Sequence, residues 1–132
     1  MRNRLAAVVA SLVAASMGSA AFAHHSFAVF FDADKTVTVS GTVTEFQFRN
    51  PHGLIRLVAK DADGKEVQWR AETNSPSILE RRGWAKDSLK AGDAIKIEGW
   101  AARDGSNYMR MRKVTRADGS PVGVPFDAPE IK

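Results

Sequence analysis

Three histidines are the only imidazole side chains in this 132-residue sequence, and two of them, His24 and His25, are adjacent. They directly follow Ala21-Phe22-Ala23, whose alternating small residues are typical of an export-signal cleavage site. Cleavage after Ala23 makes His24 the first residue, so that its α-amine and its Nδ1 can chelate one metal ion. A nitrogen from His25 or His52 would complete a three-nitrogen plane of the kind that suits Cu(II).

This ligand set resembles the histidine brace of periplasmic copper-binding proteins and of oxidative polysaccharide-cleaving enzymes. Asp32 or Asp34 can supply an additional oxygen ligand. The alternative is that His24 and His25 belong to a mobile terminus and that His52 only ends a turn. Because three histidines without a fixed ligand spacing do not define a metal motif, the sequence leaves both interpretations open.

The segment before the histidines has the three parts of an export signal. Arg2 and Arg4 give it a positive start, and residues 5–15 are small or aliphatic. A membrane-spanning helix needs about 20 predominantly apolar residues, and serines interrupt this stretch. We therefore expect removal of residues 1–23, export of the chain, and no membrane anchor. Cleavage after Ala20 is the alternative, and it would leave both neighbouring histidines internal.

The composition excludes several classes of function. The chain has no cysteine, which rules out disulfides, thiolate metal sites and a lipid-modified cysteine. The formal net charge is +4, and part of it comes from the signal, so no nucleic-acid partner is indicated. The sequence contains no serine-hydrolase, zinc-protease or phosphate-loop motif. We therefore expect a binding protein with no catalytic residues and, at most, copper as a cofactor. A copper-dependent oxidoreductase is a third hypothesis.

Alternating apolar residues predict five strands, around residues 36–48, 52–60, 66–72, 94–99 and 107–116. In the first strand the phenylalanines at 46 and 48 are out of phase with the preceding valines. This predicts either a bulge near Thr44-Glu45 or a strand that bends to serve two sheets, with Gly41 as a natural place for the bend. A short helix is predicted between Ser75 and Gly83, because Ser75 can cap it and Pro76 suits its first turn.

Three strands, one helix and two further strands are the order of an OB-fold. We predict a mainly β protein, a small five-stranded OB-fold-like barrel with one short helix between strands 3 and 4. A small β-sandwich is the rival fold. The predicted division is a signal peptide at 1–23, the OB-fold-like domain at 24–119 and an extended, proline-containing tail at 120–132.

The fifth predicted strand carries a second candidate site. Tyr108, Arg110 and Arg112 share one face, which suits a small anionic ligand such as a saccharide or lipid head group, or is simply solvated. The second function hypothesis is therefore a structural or interaction module that binds such a ligand, an envelope component or an unidentified protein partner without a metal. Met109 and Met111 occupy the opposite face and are interpreted as core packing rather than as Cu(I) ligands.

Several short motifs follow one another along the chain, each occurring once: His24-His25-Ser26-Phe27, Gly41-Thr42-Val43-Thr44-Glu45-Phe46, Asn50-Pro51-His52, Ser75-Pro76, Arg81-Arg82-Gly83-Trp84 and Leu89-Lys90-Ala91-Gly92-Asp93. Together they resemble the pattern of a bacterial family of small exported proteins that is classed as a domain of unknown function. The resemblance implies an exported protein of a Gram-negative bacterium, and so a periplasmic location, and it supplies no activity. The sequence departs from the family pattern at Gln47-Phe48-Arg49, where an aromatic-polar pair such as Trp-Thr is expected.

Overall fold

The computed structural model describes residues 26–127. Its helices and strands are α1 (Ser26–Phe30), β1 (Phe31–Gln47), β2 (Leu54–Lys60), β3 (Glu66–Glu72), α2 (Pro76–Arg81), β4 (Ala94–Ala102) and β5 (Tyr108–Arg116). The strands form one sheet that closes on itself in the order β1-β2-β3-β5-β4. The prediction of a mainly β, five-stranded closed sheet with a short helix between β3 and β4 is confirmed. No helix within residues 26–127 has the length and apolar character needed to cross a membrane.

The first strand is 17 residues long and pairs with both β2 and β4, which allows the sheet to close. Its register against β2 shifts between Val43 and Glu45, so the bulge predicted from the change of parity is confirmed. At Gly41 the backbone of β1 lies close to β2, since a Cβ atom at this position would overlap the carbonyl oxygen of Val58. The bulge and this glycine together let one strand serve both sides of the ring.

Apolar side chains from all five strands fill the interior of the ring, and each of the following is at most 1% exposed: Val43, Ile55, Ala71, Ile97 and Met109. Met111 is also buried, so the interpretation of both methionines as core residues is confirmed. All neighbouring strands are antiparallel except β3 and β5, which run parallel over only three residue pairs. This short parallel seam is where the ring closes.

The predicted helix is present as α2, and Gly83 follows it with a φ of +83°. Ser75 occupies the N-cap position, but its hydroxyl makes no capping hydrogen bond and instead lies 3.2 Å from the Ser77 hydroxyl. The cap prediction was therefore right about the position and wrong about the interaction. After α2 the chain turns back, and Trp84 is buried against the core.

The segment 120–127 is extended and packs against the ring. Val122 and Phe126 are buried in the core cluster. The backbone amide of Phe126 donates to the carbonyl of Arg112 over 2.9 Å, and the amide of Val122 donates to Val114 over the same distance. Sequence analysis did not anticipate that this segment completes the core.

We expect Met109→Ala to lower the free energy of unfolding by about 2–5 kcal/mol, because it opens a cavity in a fully buried site. Lys113→Ala is the matched control on the same strand, since Lys113 is exposed and its truncation should change stability by less than about 0.5 kcal/mol. Denaturant-induced unfolding measures both values. Equal stabilities for the two variants would contradict the placement of Met109 in the core.

Candidate functional site

Five polar side chains gather on the outer surface of the ring, and we call this group the outer cluster: His52, Glu72, Asn74, Tyr108 and Arg110. The parallel register of β3 and β5 places Glu72 beside Arg110 and Arg70 beside Tyr108. His52 lies just before β2, whose first residue, Leu54, pairs with Glu72. The closing seam of the ring therefore assembles residues that are far apart in the sequence.

Arg110 is the centre of the outer cluster. Its Nη1 donates to Glu72 Oε1 over 2.5 Å, and its Nη2 donates to Asn74 Oδ1. The Arg110 side chain is only 11% exposed and that of Glu72 is 24% exposed. Charge-assisted hydrogen bonds of this kind are strong when partly shielded from water. The guanidinium group is consequently fixed in place by its own chain.

Tyr108 binds the same carboxylate. Its hydroxyl donates to Glu72 Oε2 over 2.5 Å, and its ring packs against Phe31 with the centroids 5.1 Å apart. The guanidinium carbon of Arg70 lies over the Tyr108 ring, 4.7 Å from its centroid. Burial, followed by the bond to Glu72, raises the pKa of the Tyr108 phenol well above its usual range. Tyr108 is therefore held neutral as a donor.

His52 is exposed, and its Nδ1 lies 3.3 Å from Arg110 Nη1. Because arginine can only donate, this contact is a hydrogen bond when Nδ1 accepts and the ring proton is on Nε2. That Nε2 has no hydrogen-bonding partner among residues 26–127. No group of three or more histidine, aspartate or glutamate side chains in the same range is arranged to hold a metal ion.

The other two predicted metal ligands, His24 and His25, lie outside the described residues. The described chain starts with α1, which is fixed to the outer surface: the Phe27 ring meets Trp100 edge-on at 5.7 Å. Trp100 is the cross-strand partner of Arg110, so their side chains share one face of the sheet. The start of α1 is thus separated from the outer cluster by one side chain.

Arg103 also fixes α1. Its Nε donates to the carbonyl of Ala28 over 2.7 Å, and its backbone amide donates to the carbonyl of Phe30 over 2.9 Å. The same guanidinium lies 3.9 Å from Asp32, one of the two predicted oxygen ligands. The second, Asp34, donates its amide to Asp32 Oδ1 over 3.1 Å. Both aspartates therefore lie at the start of β1, close to the Arg103 side chain that binds α1.

The third member of the predicted anion-binding row, Arg112, is also engaged. It donates to Glu98 Oε1 through Nη1 and to the carbonyl of Phe126 through Nε, the latter over 3.0 Å. An anion at Arg110 or Arg112 would have to compete with a carboxylate. The assignment of Tyr108, Arg110 and Arg112 to a ligand site stays a prediction.

Sequence reasoning missed Glu72 and Asn74, which hold the cluster together. Glu72 alternates with buried Ala71 and so had the signature of an outward-facing strand residue. Its partner lies 38 positions away, across a parallel pairing that local patterns do not reveal.

Tyr108 is the only tyrosine in the chain, so the alkaline rise in phenolate absorbance reports on this residue alone. We expect its midpoint to lie above the usual value of about 10. Because folding raises the pKa of Tyr108, the neutral phenol stabilises the folded state. This contribution to the free energy of unfolding is complete below about pH 10 and is lost as the pH rises further.

Glu72→Gln should lower this midpoint, since it removes a carboxylate beside the phenol, whereas Glu66→Gln on the exposed part of β3 should not. Circular dichroism at each pH verifies that the chain is still folded. A midpoint near 10 in the folded wild-type protein would contradict the hydrogen-bonded, buried placement of Tyr108.

No curated protein matches the chain. Among solved structures it is similar to the small single-stranded DNA-binding protein from Streptomyces coelicolor, with 18% sequence identity and a TM-score of 0.45. That similarity covers 62% of this chain and 90% of the other. Residues 11–110, which contain the whole outer cluster, match a family of unknown function, DUF6152, and the chain belongs to that family.

Proposed function

We propose that the protein is an exported, periplasmic binding module of OB-fold type from a Gram-negative bacterium, and that it binds one Cu(II) ion through its mature amino terminus. The strand order β1-β2-β3-β5-β4, with α2 between β3 and β4, supports the OB-fold assignment. The three-part signal in residues 1–23 supports export. Neither feature identifies the ligand. The support for copper comes from the residues around the outer cluster.

The observation that carries the copper proposal is the docking of α1 beside the outer cluster. Phe27 contacts Trp100, which neighbours Arg110, which in turn contacts His52. His24 is three residues before Phe27, and an extended chain covers about 3.3–3.6 Å per residue. The covalent chain therefore limits the distance between the α-carbons of His24 and Phe27 to about 11 Å at most. Phe27 itself lies one side chain away from the outer cluster, which contains His52.

The third nitrogen comes from His25 or His52, and the Arg110 contact distinguishes them. A metal bound at His52 Nε2 takes the place of the proton there and leaves the proton on Nδ1. That proton would face the Arg110 donor, so His52 must turn away from Arg110 to ligate. The Arg110 contact therefore gives a test for ligation by His52.

The second candidate is a metal-free module that binds a small anionic ligand, an envelope component or a protein at the face of Tyr108, Arg110 and Arg112. Its support is the polar character of this outer surface. The copper proposal is preferred because Glu72 and Glu98 already neutralise the two arginines.

The mature protein should bind Cu(II) at one equivalent, with a nitrogen-rich electron paramagnetic resonance spectrum. Acetylation of the His24 α-amine should weaken binding by at least about tenfold, as His24→Ala does, because it removes the amine nitrogen from its chelate. Titration calorimetry measures the affinity, and Lys113→Ala is the control. Equal affinity for the acetylated and native chains would contradict an amino-terminal ligand.

The third ligand can be identified in the same assay. If it is His52, His52→Ala should weaken binding and Arg110→Met should strengthen it, since the competing donor is gone. If it is His25, His25→Ala should weaken binding and His52→Ala should not. Binding should also decline as the pH falls through about 8 to 6, where amines and imidazoles gain protons.

The mass of the protein purified from the periplasm should correspond to a chain that starts at His24, because Ala21-Phe22-Ala23 has the small-residue pattern of a signal cleavage site. Intact-protein mass spectrometry measures it. A mass that corresponds to a chain starting at Ala21 or at Met1 would overturn the proposed set of metal ligands.

A further inference from the structure

Two arginines face each other directly on the outer surface of the ring. Arg56 of β2 is the cross-strand partner of Arg70 of β3, and both side chains are exposed. Directly opposed residues in a sheet have Cβ atoms about 4.5–5.5 Å apart, and like charges at such positions are destabilising. The fold thus retains a repulsive pair at a place where packing does not require a charge.

Neither arginine is firmly neutralised. Arg56 Nε lies 3.1 Å from Glu45 Oε2, but these side chains are 44% and 47% exposed, so the ion pair is weak. Arg70 forms no ion pair among residues 26–127 and lies over the Tyr108 ring. Arg70 interacts electrostatically with the carboxylate of Asp104. That carboxylate is exposed and already accepts hydrogen bonds from the hydroxyl and the amide of Ser106.

The other two arginines of this surface differ in this respect. Arg110 and Arg112 are both partly buried and bound to carboxylates of neighbouring strands. Their charges are used within the fold. Arg56 and Arg70 are therefore the guanidinium groups of this face that have donors available for a ligand.

A groove adjoins the pair. It has a volume of about 630 Å³ and is lined in part by Thr42, Thr44, Val58 and Lys60. Thr42 pairs with Val58, and Val58 is two residues beyond Arg56 on the same face of β2. The groove gives space and hydroxyl groups along β2 beyond Arg56, and its Lys60 is the cross-strand partner of Glu66, which also lines it.

We propose that Arg56 and Arg70 together bind an oxyanion of the phosphate type, either free phosphate or the phosphate group of a small ester that extends into the groove. Two guanidinium forks suit such an anion because each can donate two parallel N–H···O bonds. The anion removes the repulsion between the two arginines. This site uses none of the residues of the copper proposal and stands independently of it.

The test is a titration with sodium phosphate at constant ionic strength, followed by the Nε–Hε signals of arginine in nuclear magnetic resonance spectra of the mature protein. We expect saturable shifts of two signals, assigned by their absence in Arg56→Gln and Arg70→Gln. Each variant should bind phosphate about tenfold more weakly, because it loses charge-assisted hydrogen bonds.

Arg81→Gln is the matched control, since it removes the same charge from the exposed end of α2. Thermal unfolding verifies that all three variants fold. Shifts that do not saturate, or equal affinities in Arg56→Gln, Arg70→Gln and Arg81→Gln, would overturn the proposal, because they indicate a general salt effect.

A parallel titration with glucose 6-phosphate separates the two sources of the oxyanion. Tighter binding than phosphate, reduced by Thr42→Val, identifies an ester that occupies the groove. Equal binding of the two, unaffected by Thr42→Val, identifies free phosphate as the ligand.

Discussion

The ion pair between Glu72 and Arg110 joins the shortest seam of the ring, and the rest of the structure depends on it. Strands β3 and β5 share only three residue pairs, whereas the antiparallel neighbours share six or more. Both side chains are largely buried, so loss of one would leave the other charge poorly solvated. For fully buried pairs this costs about 3–5 kcal/mol, and the 24% exposure of Glu72 makes the cost smaller here.

The same carboxylate determines the chemistry of the outer surface. Glu72 uses one oxygen for Arg110 and the other for Tyr108. Arg110 is thereby aligned with His52, and Tyr108 supports Arg70. Closure of the sheet therefore determines which arginine side chains form ion pairs within the fold and which are exposed to solvent. A strand rich in arginine is not by itself an anion-binding strand, because the partner strand can supply the counter-charge.

Local signals predicted the elements whose causes are local. The parity change after Val43 predicted the bulge, and Ser75-Pro76 predicted the start of α2. Sequence analysis missed α1, because that five-residue helix depends on the contact of Phe27 with Trp100, 73 positions along the chain, and on Arg103. It missed Glu72 for the same reason. Interactions across a closing seam become visible only once the topology is known.

The two proposed sites are linked by contacts, since Arg70 lies on Tyr108, Tyr108 and Arg110 share Glu72, and Arg110 reaches His52. Contact alone does not couple two sites, because coupling requires an element with two arrangements whose equilibrium both ligands shift. Glu72 accepts hydrogen bonds from both Arg110 and Tyr108 within a closed sheet, and the structure shows it in one arrangement. An oxyanion that draws Arg70 away from the tyrosine ring leaves the Tyr108–Glu72 bond in place, so the two sites should bind independently.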